Sequence, residues 1–323
     1  MQDASIVKST KSIEENLKDL NLQSRNYIKD ILILINKEIG INKILSIILF
    51  GTQKGKSEAS AVSDCDLLII FKDRVSNHHI KEIEKYFLAL EIKHKFREFN
   101  TKLTRKILGV IQQTTGIFVS HFLTKRKYWE AGNFYKIFRV NRLFSAVFAP
   151  RNIVLGNILT NSSILYGNDL RSKLKPKIQI TFIEMIKSTV MNLMISFFSI
   201  VISVFKKLDP EKYQLEAIKW ALKASNFYCF RDSKTLKKTI ERFVLLEKPK
   251  LQKRARKFFS NFLDLRRNPQ NDMNFMVRCP ARIIKIHIKA ILYKKLINEK
   301  LSSKTLRTKV DPNVPDRIFP VRI

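Results

Sequence analysis

The sequence predicts an α/β N-terminal half followed by an all-α C-terminal half, and three observations predict it. Two short apolar, β-branched runs, Ile47–Phe50 and Leu67–Phe71, flank a polar loop, as buried strands do on either side of a turn. A third apolar run, "GIFVSHFL" from Gly116 to Leu123, follows helical patterns and supplies another strand candidate. Beyond about Lys173 no strand pattern recurs and long helical periods take over, which sets a boundary near residue 172 between a first domain, 1–172, and a second, 173–323.

A chain of 323 residues with 45% apolar content can bury one large core or two ordinary ones. Its 61 Lys/Arg against 28 Asp/Glu give a formal charge of +33, spread along the chain without a dense basic block. Such a field favours polyanionic partners: nucleic acid, nucleotide phosphates or an anionic membrane surface. A lysine-rich surface composition accounts for the same charge without any partner. Cys65, Cys229 and Cys279 stand far apart in no metal-ligand spacing, which points to a reducing, cytoplasmic setting without a disulfide framework. The five histidines form no zinc pattern, and the polar, helical N-terminus does not read as a signal peptide.

Taken in order, residues from about Ser12 to Gly40 read as one or two helices ending on Gly40 as a C-cap. The strand "KILSIILF", the loop "GTQKGKSEASAVS" and the strand "DCDLLIIF" follow. Helical patterns cover "HIKEIEKYFLALEIKHKF" and Lys102–Gln113, ahead of the third strand candidate. The stretch from Trp129 to Leu170 mixes aromatic patches with turn signals. The second half reads as helices over Ile178–Phe205, Pro210–Tyr228, Ser233–Leu246, Lys248–Leu263 and Pro280–Ile297. Asp209-Pro210 and Asp232-Ser233 look like helix starts, and a tail with three prolines closes the chain.

One segment invites a membrane reading. Thr189–Phe205 has no charge over 17 residues, slightly short of the ~20 that a span requires. Asn192, Ser196, Ser199 and Ser203 draw a small polar stripe along it, which allows close helix packing in a soluble bundle or in lipid. A buried bundle helix is the expectation, with no membrane partner, because the rest of the chain has a soluble pattern.

The chemistry concentrates in "SIILFGTQKGKSEASAVSDCDLLIIFKD", Ser46 to Asp73. Strand alternation aims Asp64 and Asp66 the same way, with Cys65 behind them. Two like charges so placed raise the cost of ionising each other, and a divalent cation between them removes that cost. Gly51 lets the chain turn sharply, Thr52 can bond a phosphate oxygen, and Gly55 with Lys54 and Lys56 extends an anion-friendly loop. The run "GTQKGKS" is not a P-loop, since three residues separate its glycines instead of four.

"LFGT" followed by Ser63 and "DCDLLIIF", with Asp64 thirteen residues after Gly51, resembles the signature of the DNA polymerase β-like nucleotidyltransferase superfamily. The later "ILYGNDL", Ile164 to Leu170, is similar to a phrase near the end of the catalytic region in small members. The resemblance spans Lys43 to about Leu170 in outline and is sharp over Phe50–Phe71. It implies a nucleotidyltransferase-fold domain with a mixed sheet. It implies Mg²⁺ or Mn²⁺ held by Asp64 and Asp66, and a nucleoside triphosphate such as ATP held by Gly51, Thr52, Lys54, Gly55 and Ser63. It implies transfer of a nucleoside monophosphate to an acceptor hydroxyl with loss of pyrophosphate, the helical half binding the acceptor. The charge favours RNA or another polyanion as that acceptor over a small cationic antibiotic. The alternative is a catalytically weak or inactive module that binds nucleotide or nucleic acid.

The sequence departs from the family at a third carboxylate. The third strand candidate offers Ser120 and His121 at that place. His121 reads either as a metal ligand or proton acceptor, or as an ordinary strand-end histidine, the simpler reading. Glu91, Glu98 and Glu130 are other sources of an acid, as are Glu184 and Glu216 in the helical half. Two further stretches have double readings: Glu216–Phe230, where aromatics alternate with lysines, and the basic run Lys248–Phe259. Each suits nucleic acid, and each also suits a helix with one buried and one solvated face.

Overall fold

The computed structural model describes residues 15–18, 20–51, 65–96, 121–203, 210–232 and 234–310, with side chains to residue 297. The N-terminal half is built on a four-stranded sheet in the order β3-β2-β1-β4, from β1 Ile44–Phe50, β2 Asp66–Phe71, β3 His121–Lys125 and β4 Ser163–Gly167. β1 runs antiparallel to both β2 and β4, while β2 and β3 are parallel, so the sheet is mixed.

Both central strands are buried on both faces, and alternation divides their side chains between two cores. Ile47, Leu49, Leu67 and Ile69 meet α1 (Leu22–Glu38) and α2 (Asn77–Lys93) on one face. Ile48, Phe50, Leu68 and Ile70 face the other way, toward Trp129, Phe134 and Ile137. Four short helices lie in that region: α3 Arg126–Glu130, α4 Phe134–Ile137, α5 Arg142–Val147 and α6 Arg151–Thr160. α1 stops as expected at Gly40, whose φ of 89° turns the chain while its N–H returns to the Ile35 carbonyl at 2.9 Å.

β4 carries no strand pattern strong enough to read in isolation; it forms because β1 offers it a free edge. The "YGNDL" phrase then proves structural. Gly167 has φ 79°, and a Cβ there would strike the Leu45 carbonyl of β1. Asn168 N–H bonds that carbonyl at 2.9 Å, and the buried Trp129 Nε1 donates to the Leu170 carbonyl at 2.9 Å. After α7 (Arg171–Leu174) the regular elements among the described residues are helices: α8 Phe182–Ser203, α9 Pro210–Phe230, α10 Leu236–Leu245, α11 Pro249–Arg267 and α12 Met273–Val310.

Three helix starts differ from the sequence expectation: α8 begins at Phe182 instead of Ile178, and two others follow their caps. α10 begins under a Thr235 cap, whose hydroxyl accepts from Lys238 N–H at 3.3 Å, while Asp232 instead pairs with Arg242 at 3.0 Å. α12 starts seven residues ahead of Pro280, because Asp272 caps it by accepting from Phe275 N–H at 2.9 Å. Pro280 is therefore an interior proline, tolerated within a long helix that is packed on its neighbours.

α8, α9 and α12 form the body of the helical half, with Ile195, Ile218, Ala221 and Ile283 among the buried contacts. The small polar stripe of α8 faces inward: Asn192 is hydrogen-bonded to His287 at 3.1 Å and Ser196 to Gln214. α6 joins the two halves. A Cβ on Gly156 would collide with the Phe227 ring of α9, so the glycine is what lets the two helices touch.

Candidate active site

The antiparallel pairing of β1 and β2 sets Phe50 directly opposite Asp66. The next residue, Gly51, has φ 86°, a backbone state that costs a side chain dearly. A Cβ built there would run into the Asp66 carboxylate. The corner therefore needs glycine twice over, once for the turn and once for room beside the acid. Asp66 is half-buried, and its strand parity puts it on the face of Leu68 and Ile70. Phe50 and Phe122 floor that face, their rings stacked 6.0 Å apart.

Thr52, Lys54, Gly55, Ser63 and Asp64 lie outside the described residues, as does Glu98. Of the sequence-predicted set, Gly51 and Asp66 are thus the pair whose geometry is described. Among the described residues no group of three or more His, Cys, Asp or Glu is placed to hold a metal ion.

The candidates for a further acid or base go elsewhere. His121 lies beside Leu67 across the β2–β3 ladder, one residue out of phase with Asp66 and on the α2 face. There its Nδ1 is bonded to Glu91 of α2 at 2.8 Å, both side chains being buried, and Phe87 packs 5.1 Å from the imidazole. The simpler reading of His121 fits this placement, and Glu91 is its partner. Glu130 pairs with Arg126 at 2.8 Å beyond the far end of β3. Glu184 leaves the helical half to cap α6, accepting from Asn152 N–H at 3.1 Å; burial pushes its carboxyl above the usual range against that bond. Glu216 sits buried between Arg266, at 3.1 Å, and Lys219. Burial alone would raise its pKa, but the two cations outweigh it and hold the carboxyl below its ordinary value. Along the described part of β3, the positions in phase with Asp66 are Phe122 and Thr124, neither of them acidic.

Sequence reading did not find Arg171. Its guanidinium grips Asp169 at 2.7 Å and donates to the Ser162 carbonyl at 2.8 Å. Ser162 precedes β4 at the same end of the sheet as Asp66, with β1 between them. Asp169 is held below the usual carboxylate range first by its hydrogen bond from Arg171. The signal was the basic residue just after "GNDL", which has meaning only once β4 is in place.

No protein-family profile matches the chain, and no curated protein matches it. Among solved structures, spectinomycin adenyltransferase from Enterococcus faecialis, determined with ATP and spectinomycin, overlaps 82% of this chain and 98% of its own. The identity is 8% and the TM-score 0.46, too low to define a family or an activity.

Proposed function

We propose that the chain is a metal-dependent nucleotidyltransferase that moves a nucleoside monophosphate from a triphosphate to an acceptor hydroxyl. The observation that carries the reading is the Gly51–Asp66 corner. There a positive-φ glycine and a carboxylate that leaves no space for a side chain meet at the end of an antiparallel strand pair. That arrangement supports the roles that the "LFGT…SDCD" resemblance implies for those positions. Asp64 and Asp66 would hold Mg²⁺ or Mn²⁺, hard cations that take carboxylate and phosphate oxygens. The bound ion would supply charge stabilisation at the α-phosphate. Gly51 turns the chain so that Thr52, Lys54, Gly55 and Ser63 can hold the triphosphate by hydroxyl, ammonium and backbone N–H groups. The acceptor oxygen bonds to the α-phosphorus as the bond to the β-phosphate bridge breaks, pyrophosphate leaves, and a base takes the hydroxyl proton.

Residues 1–172 form the catalytic unit in this reading and 173–323 bind the acceptor in a cytoplasmic setting. The charge of +33 favours RNA or another polyanion there. One observation favours a second reading, a nucleotide- or nucleic-acid-binding module without turnover: Phe122 and Thr124 occupy the β3 positions in phase with Asp66. Magnesium-dependent transfer from α-labelled ATP, CTP, GTP and UTP to RNA, protein and small-molecule fractions separates the two. Label that vanishes in Asp64→Asn/Asp66→Asn supports the enzyme. Triphosphate binding without label in any fraction supports the module.

A further inference from the structure

α8 is built inside out. Its inward face carries Ser188, Asn192, Ser196 and Ser199, all buried. Its outward face carries Ile183, Ile186, Val190, Met194, Phe197 and Val201, each between 38% and 65% exposed. The spacings of three and four along that set keep the whole row on one side. α12 packs against α8 in the opposite direction, with His287 at Asn192 and Lys294 at Met185. It shows a second outward row, Val277, Ile284, Ile288, Leu292 and Leu296. Two neighbouring helices thus each turn a row of large apolar side chains to solvent, more than scattered surface residues account for.

The rim of this surface is cationic. From Met273 to Asn298 the sequence of α12 contains no acidic residue, while Arg278, Lys285 and Lys295 are exposed on it. One helical step from the apolar row, a cavity of about 810 Å³ opens between α11 and α12, lined by five basic residues, Arg254, Lys257, Arg278, Arg282 and Lys285, against two acidic ones, Asp264 and Asp272.

We infer that the α8–α12 face is a docking surface for an anionic lipid bilayer, its apolar rows entering the acyl boundary and the α11–α12 cavity receiving headgroup phosphates. This inference is independent of the nucleotidyl-transfer reading. Charge complementarity selects the occupant. A second copy would bring one cationic α12 surface toward another, whereas anionic lipids attract such a rim. A helix with an apolar face flanked by basic residues lies in the interface in this way. α8 is long and apolar enough to cross a membrane by composition. Its hydrogen bonds at Asn192, Ser196 and Ser199 nevertheless tie its polar face to α9 and α12, so it lies on the membrane surface with that face kept in protein.

The test is co-sedimentation of the full chain with vesicles of phosphatidylcholine containing a quarter phosphatidylglycerol, and with pure phosphatidylcholine. Three variants accompany it: Phe197→Ser/Val201→Ser, Ile288→Ser/Leu292→Ser, and Arg254→Glu/Lys257→Glu. The altered side chains are exposed, so melting curves should match the parent, and the two apolar pairs back each other if one does not. Expected is binding to the anionic vesicles, at least tenfold weaker for each apolar pair, and about fivefold weaker for each cation removed. Three results overturn it. One is no binding to anionic vesicles, and a second is binding that the apolar pairs leave unchanged, which is adsorption by net charge alone. The third is a concentration-dependent dimer by light scattering that the same pairs disperse.

Discussion

Asp66 and Glu216 are acidic side chains drawn into opposite halves of one fold, and the chain treats them in opposite ways. Around Glu216 the helical half closes Arg266 and Lys219, and the carboxylate is neutralised where it lies. Beside Asp66 the chain places a glycine, and the carboxylate fills the position that a Cβ there would take. The first arrangement holds helices together, since removing one partner strands a buried charge. The second sets a half-buried carboxylate at the end of a sheet against a backbone turn that admits no side chain. Glu216 is buried against two cations, whereas Asp66 is half-buried beside a glycine.

The strongest way to break that comparison is to neutralise each acid. Under the proposed function, Asp66→Asn should lower nucleotidyl transfer by about a thousandfold or more, the several kcal/mol that a metal site supplies. Its melting temperature should remain close to the parent's. If thermal melts show instead that Asp66→Asn unfolds the chain while transfer per folded molecule survives, Asp66 belongs with Glu216. Glu216→Ala should cost about 3–5 kcal/mol in urea unfolding, because Arg266 and Lys219 would remain buried without it.

Glycine substitutions sharpen the contrast at smaller cost. Gly51→Ala meets both positive φ and the Asp66 carboxylate, and should lose about 1–3 kcal/mol together with most of any triphosphate binding, read by calorimetry. Gly156→Ala meets the Phe227 ring, and should lose a similar amount of stability with triphosphate affinity intact. A Gly156→Ala chain that bound triphosphate poorly would couple the helical joint to the corner.

The gentlest probe is pH. His287 is enclosed by Asn192, Ser225 and Tyr228, and burial lowers its pKa to about 3 from the ordinary 6.5. The unfolded chain takes this proton near pH 6.5 and the folded chain only near 3. Between those values the unfolded state binds more protons, so stability falls as pH drops, by about 1.4 kcal/mol per unit from this group. Urea midpoints at pH 7 and pH 5 should show the loss, and His287→Gln should flatten it. An unchanged slope in that variant would mean that other groups govern the acid limb.

Much of the fold was legible because burial writes directly into sequence. β1 and β2 are continuous apolar runs that few other environments tolerate, and α9 and α11 keep a helical period throughout. β4 was missed because its pattern is ordinary and its existence depends on the edge of β1. α12 was cut short because Pro280 is a start signal locally, while the Asp272 cap and the packed helix face override it. At the candidate site, the two strands and the turn at Gly51 were legible in sequence, while the contact of Gly51 with Asp66 comes from the strand pairing. The fates of His121, Glu91, Glu184 and Glu216 were not legible, since each has a partner 30, 32 or 50 residues away along the chain that no local spacing announces.

By itself the sequence determined the class of each half, the two apolar strands that flank the loop, and a turn at Gly51. Those are consequences of local backbone chemistry and of apolar side chains leaving water. Tertiary structure alone decided which acids are spent on ion pairs and caps, that "GNDL" locks β4 to β1, and that α8 hides its serines and shows its oil. Each of these depends on which surfaces meet across the fold, and the free energy of a buried polar or exposed apolar group is set by that meeting and not by its neighbours in sequence.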